Sequence, residues 1–198
     1  EQHIPKNDQG SVANIRASGG IILAKTNTPE FGAGANTRNL VFGATGNPFN
    51  PNQTCGGSSG GSAVALATGM VPLASGSDYG GSLRTPAGFC GVVGIRPSPG
   101  VVAAESRPVG LLPFSVLGPM GRTVDDAYLL LNAQAGPNPR DPFSTHHRLG
   151  LPLPLETADL GSLRAMITPD LGTAPMNNTY RAIFLERMSQ ISHHFSAV

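Results

Sequence analysis

Short apolar segments alternate with segments rich in glycine and proline along this chain. Apolar residues at helical spacing predict helices over residues 8–18, 62–70, 123–135 and 177–194. The third of these begins at Thr123, a residue type favoured at the N-cap, and a Gly-Pro pair follows its end. Its first turn is acidic, which suits the positive end of a helix.

Shorter apolar runs, several of them β-branched, predict buried strands. They lie at residues 21–25, 71–78, 91–97 and 163–167. Strands that alternate with helices indicate the α/β class.

Composition limits the kinds of protein that this chain can be. Its 198 residues, 39% of them hydrophobic, suit one domain or part of a larger one. A formal net charge of +1 without a basic run argues against nucleic acid as a partner. The sequence has no apolar stretch long enough to span a bilayer, and its first residues do not form a secretory leader. We therefore expect a soluble, cytoplasmic protein with no membrane partner.

Both ends of the sequence look cut, because it begins inside a helix-like pattern and stops where a strand could begin. We expect part of a single domain, with a core over residues 1–136, a proline-rich connection over 137–162 and a strand–helix segment over 163–198. A sheet that is incomplete at both ends exposes an edge and an apolar face, so the isolated chain is expected to aggregate readily.

The cysteines and histidines do not suggest a metal site. Cys55 and Cys90 have no CxxC neighbour and are too few for a disulfide scaffold, so we interpret both as free small residues. The histidines lie away from the glycine-serine segments discussed next and are expected at the surface: His3, His146, His147, His193 and His194.

Two serine-glycine clusters, at residues 56–62 and 80–86, carry the candidate chemistry. Glycine lets the backbone approach a ligand closely, and serine supplies a hydroxyl that acts as nucleophile, proton relay or hydrogen-bond partner. Ser82 follows two glycines, so successive N–H groups near it could hold a negative charge that develops in a reaction. A tight turn capped by a serine is the alternative interpretation.

Two other catalytic or binding patterns fit less well. Ser58 lies in a GxSxG pattern, but the residues before it are not strand-like and no histidine has a suggestive context, which disfavours a Ser-His-Asp triad. A helix that starts at Ser62 after glycines could bind an anion. The Gly-Lys-Ser/Thr ending of a P-loop and a GxGxxG pattern are both missing, so phosphate binding is the weaker alternative.

The run over residues 55–96 resembles the amidase signature family of serine amidohydrolases. The resemblance rests on the separation of 24 residues between Ser58 and Ser82 and on the motifs at 56–62, 76–78, 80–84, 89–91, 25–31 and 118–123. It covers residues 8–135 well and the rest loosely. It implies a mixed β-sheet flanked by helices, incomplete here at both ends.

The resemblance also implies a mechanism that needs no metal or organic cofactor. Ser82 attacks the carbonyl of a small-molecule amide, and Ser58, which follows a cis peptide bond, relays protons to and from it. The N–H groups of Tyr79, Gly80, Gly81 and Ser82 form the oxyanion hole, and water then hydrolyses the acyl-enzyme. We expect Asp78 and Arg84 to fix the loop, as a pair.

A catalytic lysine, the third member of the implied Ser–cis-Ser–Lys triad, has no matching position. The chain has only Lys6 and Lys25, and Lys25 matches a different lysine of the family. We therefore expect a fragment of an amidase that lacks the lysine and is inactive alone. Tyr79 also departs from the family, where a smaller residue is commoner. Its ring either packs or narrows the acyl pocket.

Two alternatives stay open at this point. One is a non-catalytic binding protein on an amidase-like scaffold. The other is the A subunit of a tRNA-dependent amidotransferase, although the sequence after Arg96 departs from the version common in those subunits. The identity of the amide cannot be read from the sequence, and a homodimer of the full-length parent also stays open.

Overall fold

The computed structural model describes residues 4–107, 110–144 and 152–198. The chain divides into two compact units, Glu1–Leu155 and Glu156–Val198. The candidate catalytic residues all lie in the first unit.

Four helices form in the first unit: α1 (Gly10–Ala17), α2 (Gly60–Ala67), α3 (Arg84–Cys90) and α4 (Val124–Gln134). The predictions of α1, α2 and α4 are confirmed. The sequence did not indicate α3, because it contains a proline and a glycine. Pro86 is nevertheless tolerated, since it occupies the third helical position, where a backbone N–H has no partner within the helix.

A three-stranded sheet forms the centre of the first unit, and β1 (Arg38–Asn39) and β2 (Gly43–Ala44) form a separate hairpin. The sheet has the order β3 (Leu73–Asp78), β5 (Val116–Gly121), β4 (Val93–Gly94). The central strand β5 is antiparallel to both neighbours. The α/β class predicted from the sequence is confirmed, and β3 and β4 fall inside the predicted strand segments.

The hydrophobic core lies where α2 and α3 pack against each other and α2 packs on the sheet. Leu66, Leu83 and Met120 are completely buried, and both cysteines lie among them as free thiols, as predicted. Burial raises the pKa of the Cys90 thiol to about 11 and also raises that of Cys55. The reactive thiolate is therefore scarce at neutral pH, so both cysteines serve as small core residues.

Two predicted strands do not form. Residues 21–25 have no strand partner in the described ranges, and Ile21 and Leu23 are 83% and 69% exposed. Residues 163–167 contribute only an isolated bridge, between Arg164 and Ala197. The first prediction was wrong because β-branched and apolar side chains favour a strand, but a strand forms only where a second backbone supplies hydrogen bonds. The second was wrong because the pairing of this segment stops after two hydrogen bonds, from the Ala165 N–H to the Ala197 carbonyl and from the Ser196 N–H to the Leu163 carbonyl.

The start of the predicted proline-rich connection belongs to the first unit. Asp141 is fully buried and receives hydrogen bonds from the Arg107 guanidinium and the Ala104 N–H. Burial alone would raise the pKa of Asp141, but these hydrogen bonds outweigh it and lower the pKa. The middle of the predicted connection, residues 145–151, lies outside the described residues.

The second unit consists of α5 (Asn178–Ile191) and two short 3₁₀ turns, Leu160–Ser162 and Ser192–His194. The helix is confirmed, and the Asn177 side chain caps it by accepting a hydrogen bond from the Thr179 N–H at 2.9 Å. No residue of α5 is buried. None of the helices in the described ranges is long and apolar enough to cross a membrane.

Helix α4 begins with the N-cap that the sequence predicted, so its stability can be tested at one residue. Thr123 Oγ accepts a hydrogen bond from the Asp126 N–H, and the Asp126 carboxylate accepts one from the Thr123 N–H. Replacing Thr123 with alanine is expected to lower the free energy of unfolding by about 1 kcal/mol. Denaturant unfolding measures this, with Thr123→Ser, which keeps the hydroxyl, as the control. Equal stability of the alanine and serine variants would contradict the prediction.

Candidate active site

The two serine-glycine clusters lie side by side. The Ser59 N–H donates a hydrogen bond to the Ser82 carbonyl at 3.2 Å. The Ser59 hydroxyl also donates to the Ser77 carbonyl and accepts from the Ser77 N–H, both at 3.2 Å. Cluster 56–62 is therefore attached both to the end of β3 and to the turn that carries Ser82. These contacts bring the backbones of the two candidate catalytic segments together.

Thr37 fixes the backbone around Ser58. Its N–H and its hydroxyl both donate to the Gly56 carbonyl, at 3.1 and 2.9 Å, and the hydroxyl accepts from the Gly60 N–H at 3.1 Å. The Gly57–Ser58 peptide bond is cis, as the resemblance implies. A Cβ atom at Gly57 would come within 2.9 Å of the Asn36 nitrogen, so only glycine fits there.

Asp78 organises the turn that carries Ser82. It is the last residue of β3, it is completely buried, and its carboxylate accepts hydrogen bonds from the Gly81 N–H at 2.8 Å and the Leu83 N–H at 3.2 Å. The Arg84 guanidinium binds the same carboxylate through two nitrogens, at 3.0 and 3.1 Å. The predicted pair of Asp78 and Arg84 is confirmed.

Arg96 is a third anchor, which the sequence reasoning missed. One terminal nitrogen donates to Asp78 Oδ1 at 2.9 Å and also to the Asp78 carbonyl, and the other donates to the Phe114 carbonyl at 2.8 Å. The only available signal was that Arg96 is the single charged residue between Arg84 and Glu105. A buried carboxylate beside one exposed arginine needs a second cationic partner, and Arg96 supplies it.

The charge state of Asp78 follows from these contacts. Burial alone would raise its pKa, but the hydrogen bonds from Arg84 and from the Gly81 and Leu83 N–H groups outweigh burial and lower the pKa to about 2. Asp78 is therefore a carboxylate at neutral pH and a poor proton acceptor. Its role is to hold the turn in place.

The N–H groups of this turn are not all available to a ligand. The Gly81 N–H donates to the Asp78 carboxylate, and its share in the oxyanion hole stays a prediction. The N–H groups of Tyr79, Gly80 and Ser82 have no acceptor in the described ranges. Gly80 is exposed and Ser82 is half-buried, so a ligand can reach this part of the turn.

The hydroxyls of Ser58 and Ser82 do not hydrogen-bond to each other. Neither hydroxyl makes a hydrogen bond to any other described residue. Catalytic hydrogen bonds are often long before substrate binds, so this geometry does not argue against a relay. Lys6 and Lys25 are both exposed, and neither makes a hydrogen bond or an ion pair within the described part of the chain. Neither lysine is thus placed to complete the triad.

The remaining candidate groups lie elsewhere or outside the described ranges. His193 and His194 are exposed in the last 3₁₀ turn of the second unit, which confirms that they are surface residues. His3, His146 and His147 lie outside the described residues. Tyr79 packs edge-to-face against Phe114, with ring centres 5.7 Å apart, but stays 61% exposed.

A family model described as Amidase matches residues 1–192. Among curated proteins, the A subunit of glutamyl-tRNA(Gln) amidotransferase from Thermus thermophilus is 46% identical over 73% of this chain and 31% of its own length. An acylamidase from Rhodococcus erythropolis is 38% identical over 90% of this chain and 37% of its own length.

Solved structures agree with these sequence matches. The structure of a bacterial aryl acylamidase of the amidase signature family matches with a TM-score of 0.83 and 32% identity, over 95% of this chain and 38% of that one. A peptide amidase from Stenotrophomonas maltophilia matches with a TM-score of 0.63 and 34% identity, over 70% of this chain and 29% of its own. The chain thus spans roughly a third of the length of these relatives.

Proposed function

Because the chain belongs to the amidase family, whose signature fold it shares, we propose that it carries the nucleophile and the proton relay of a serine amidohydrolase. The reaction is the hydrolysis of the C–N bond of a carboxamide to an acid and ammonia or an amine. The observation that supports this proposal is the hydrogen bond from the Ser59 N–H to the Ser82 carbonyl, because it brings the backbones of the two serine clusters into contact.

In the first half of the reaction, Ser82 Oγ attacks the carbonyl carbon and its proton passes to Ser58. The carbonyl oxygen becomes negative, and the free N–H groups of Tyr79, Gly80 and Ser82 stabilise it. Ser58 then gives a proton to the departing nitrogen, so the C–N bond breaks and an ester to Ser82 remains. Water attacks this ester and loses a proton through the same relay, and the acid leaves as Ser82 Oγ is protonated again.

A basic group must accept the proton from Ser58. Lys6 and Lys25 are both exposed, and neither makes a hydrogen bond or an ion pair with Ser58 or any other described residue. We therefore place the base outside this chain. The length of the relatives, of which the chain covers roughly a third, leaves room for it.

Covalent labelling tests the role of Ser82. A fluorophosphonate added to the protein that carries this chain is expected to form one adduct, which mass spectrometry maps to the peptide containing Ser82. A carboxamide substrate is expected to slow the labelling by competition. An adduct on a different residue would overturn the assignment, and an unlabelled but correctly folded protein would favour the non-catalytic scaffold.

A second candidate is the A subunit of an amidotransferase. It is favoured by the Thermus relative, which is 46% identical over 73% of this chain. In that case the released ammonia would pass to glutamyl-tRNA in a complex with other subunits. Ammonia release from free glutamine or asparagine, compared with release of amine from N-substituted amides, distinguishes the two. Hydrolysis of free glutamine or asparagine but not of N-substituted amides, at a rate that glutamyl-tRNA increases, would favour the amidotransferase subunit.

A further inference from the structure

Two partly exposed aromatic residues, Tyr79 and Phe114, are attached to the turn that carries the candidate nucleophile. Tyr79 directly follows the buried Asp78 and lies three residues before Ser82, so its Cα is at most about 10 Å from that of Ser82. Its ring meets the Phe114 ring edge-to-face, at an angle of 64° and a centre-to-centre distance of 5.7 Å. Tyr79 is 61% exposed and Phe114 51% exposed, so the pair keeps free ring surface beside the turn.

The pair is held by the same charges that hold the turn. Arg96 donates to the carbonyl of Phe114 and to both the carbonyl and the carboxylate of Asp78. Asp78 in turn binds the Gly81 N–H. One buried ion pair therefore fixes both the backbone of Phe114 and the N–H groups next to Ser82. Backbone that is fixed to the turn holds the two ring-bearing residues in place relative to Ser82.

Free aromatic surface at this position has a chemical consequence. A ligand pocket combines apolar walls with a few converging polar groups, and here the polar groups are the N–H groups of the turn and the Ser82 hydroxyl. An aromatic side chain offers a second ring an offset-stacked or edge-to-face contact. Neither ring carries a charge, and the nearby carboxylate of Asp78 is buried and fully occupied by its donors. The surface therefore fits an uncharged, flat group.

We propose, on the basis of the function proposed above, that Tyr79 and Phe114 form the wall of a subsite for an aromatic group of the amide, so that aryl amides are preferred over short alkyl amides. Tyr79 is thus a specificity-determining residue of this chain.

The test measures kcat/KM for two matched substrate pairs on the protein that carries this chain. The first pair shares an amine and differs in the acyl group, benzoyl against butyryl. The second shares an acid and differs in the amine, aniline against propylamine. Wild type is expected to prefer the aryl member of at least one pair. Tyr79→Ala and Phe114→Ala are expected to reduce that preference about tenfold, and Tyr79→Phe to keep it.

Phe49→Ala is the matched control. Phe49 is an exposed aromatic residue of the same unit, 76% exposed, but its ring lies against Gly91, at the opposite end of α3 from Ser82. It is expected to leave both preferences unchanged. Unchanged preferences in Tyr79→Ala and Phe114→Ala would overturn the proposal. A loss of stability with unchanged preferences would also overturn it, because the rings would then be covered by other polypeptide and not by substrate.

A binding measurement separates this proposal from the proposed reaction. In a Ser82→Ala background, ligand-observed NMR is expected to detect binding of benzanilide, and the further change Tyr79→Ala to weaken it about tenfold. This result would support the aromatic subsite even if labelling assigned the nucleophile to another residue. Equal binding in both backgrounds would overturn the subsite while leaving the role of Ser82 intact.

Discussion

Replacing Ser82 with alanine is expected to lower kcat for amide hydrolysis by about four orders of magnitude or more, because no acyl-enzyme forms without its hydroxyl. KM is expected to change little, since the substitution removes one oxygen from a half-buried side chain. Steady-state hydrolysis of a carboxamide by the protein that carries this chain measures both constants. Residual activity within tenfold of wild type would rule out Ser82 as the nucleophile.

Ser58→Ala is the companion variant. It is expected to lower kcat by about 10²- to 10⁴-fold, the usual contribution of a positioned proton donor and acceptor. Because the two serines act as one unit, the double variant is expected to be no slower than Ser82→Ala. The control is Ser98→Ala, which changes an exposed serine of the same unit. A Ser58→Ala variant as active as this control would remove Ser58 from the relay.

The parts of the site that the sequence predicted are those encoded by neighbouring residues. The glycines and serines of 56–62 and 80–86 belong to local motifs, and Asp78 and Arg84 are six residues apart around one turn. Contacts that join distant segments could not be predicted from the sequence in this way. Thr37 binds the backbone of Gly56, and Arg96 reaches Asp78, across separations of 19 and 18 residues. Neither residue stands in a local pattern that indicates its partner.

Strands show the same division between local signal and tertiary context. Residues 21–25 have the side chains of a buried strand but no paired backbone among the residues that the structure describes. The central strand β5 has the opposite properties, because Pro119 cannot donate a ladder hydrogen bond, Gly118 precedes it and Gly121 ends the strand. The Pro119 carbonyl still accepts from the Ile95 N–H at 3.1 Å, and both neighbouring strands pair with β5. Pairing, which is non-local, decides the outcome in both cases.

Asp78→Ala is expected to have the largest effect on stability, about 3–5 kcal/mol of the free energy of unfolding, because it leaves Arg96 in a site where that side chain is only 24% exposed. The Gly81 and Leu83 N–H groups also lose their acceptor, so the turn shifts and kcat falls on the order of 10²-fold. Denaturant unfolding and steady-state kinetics measure the two effects. Arg84→Ala is the control, since that side chain is 55% exposed and is expected to contribute at most about 1 kcal/mol.

The dependence of stability on pH isolates the charge of Asp78 from its shape. Its pKa is lowered from 3.8 to about 2 in the folded protein, so the carboxylate stays ionised there at pH values where it is protonated in the unfolded chain. Its stabilisation is therefore complete above the unfolded pKa and is lost as the pH falls toward 2. Relative to Asp78→Asn, the wild-type advantage in unfolding free energy is expected to shrink by roughly 2 kcal/mol between about pH 5 and pH 2. An advantage that stays constant over this range would mean that hydrogen-bond geometry, and not the ion pair with Arg84 and Arg96, holds the turn.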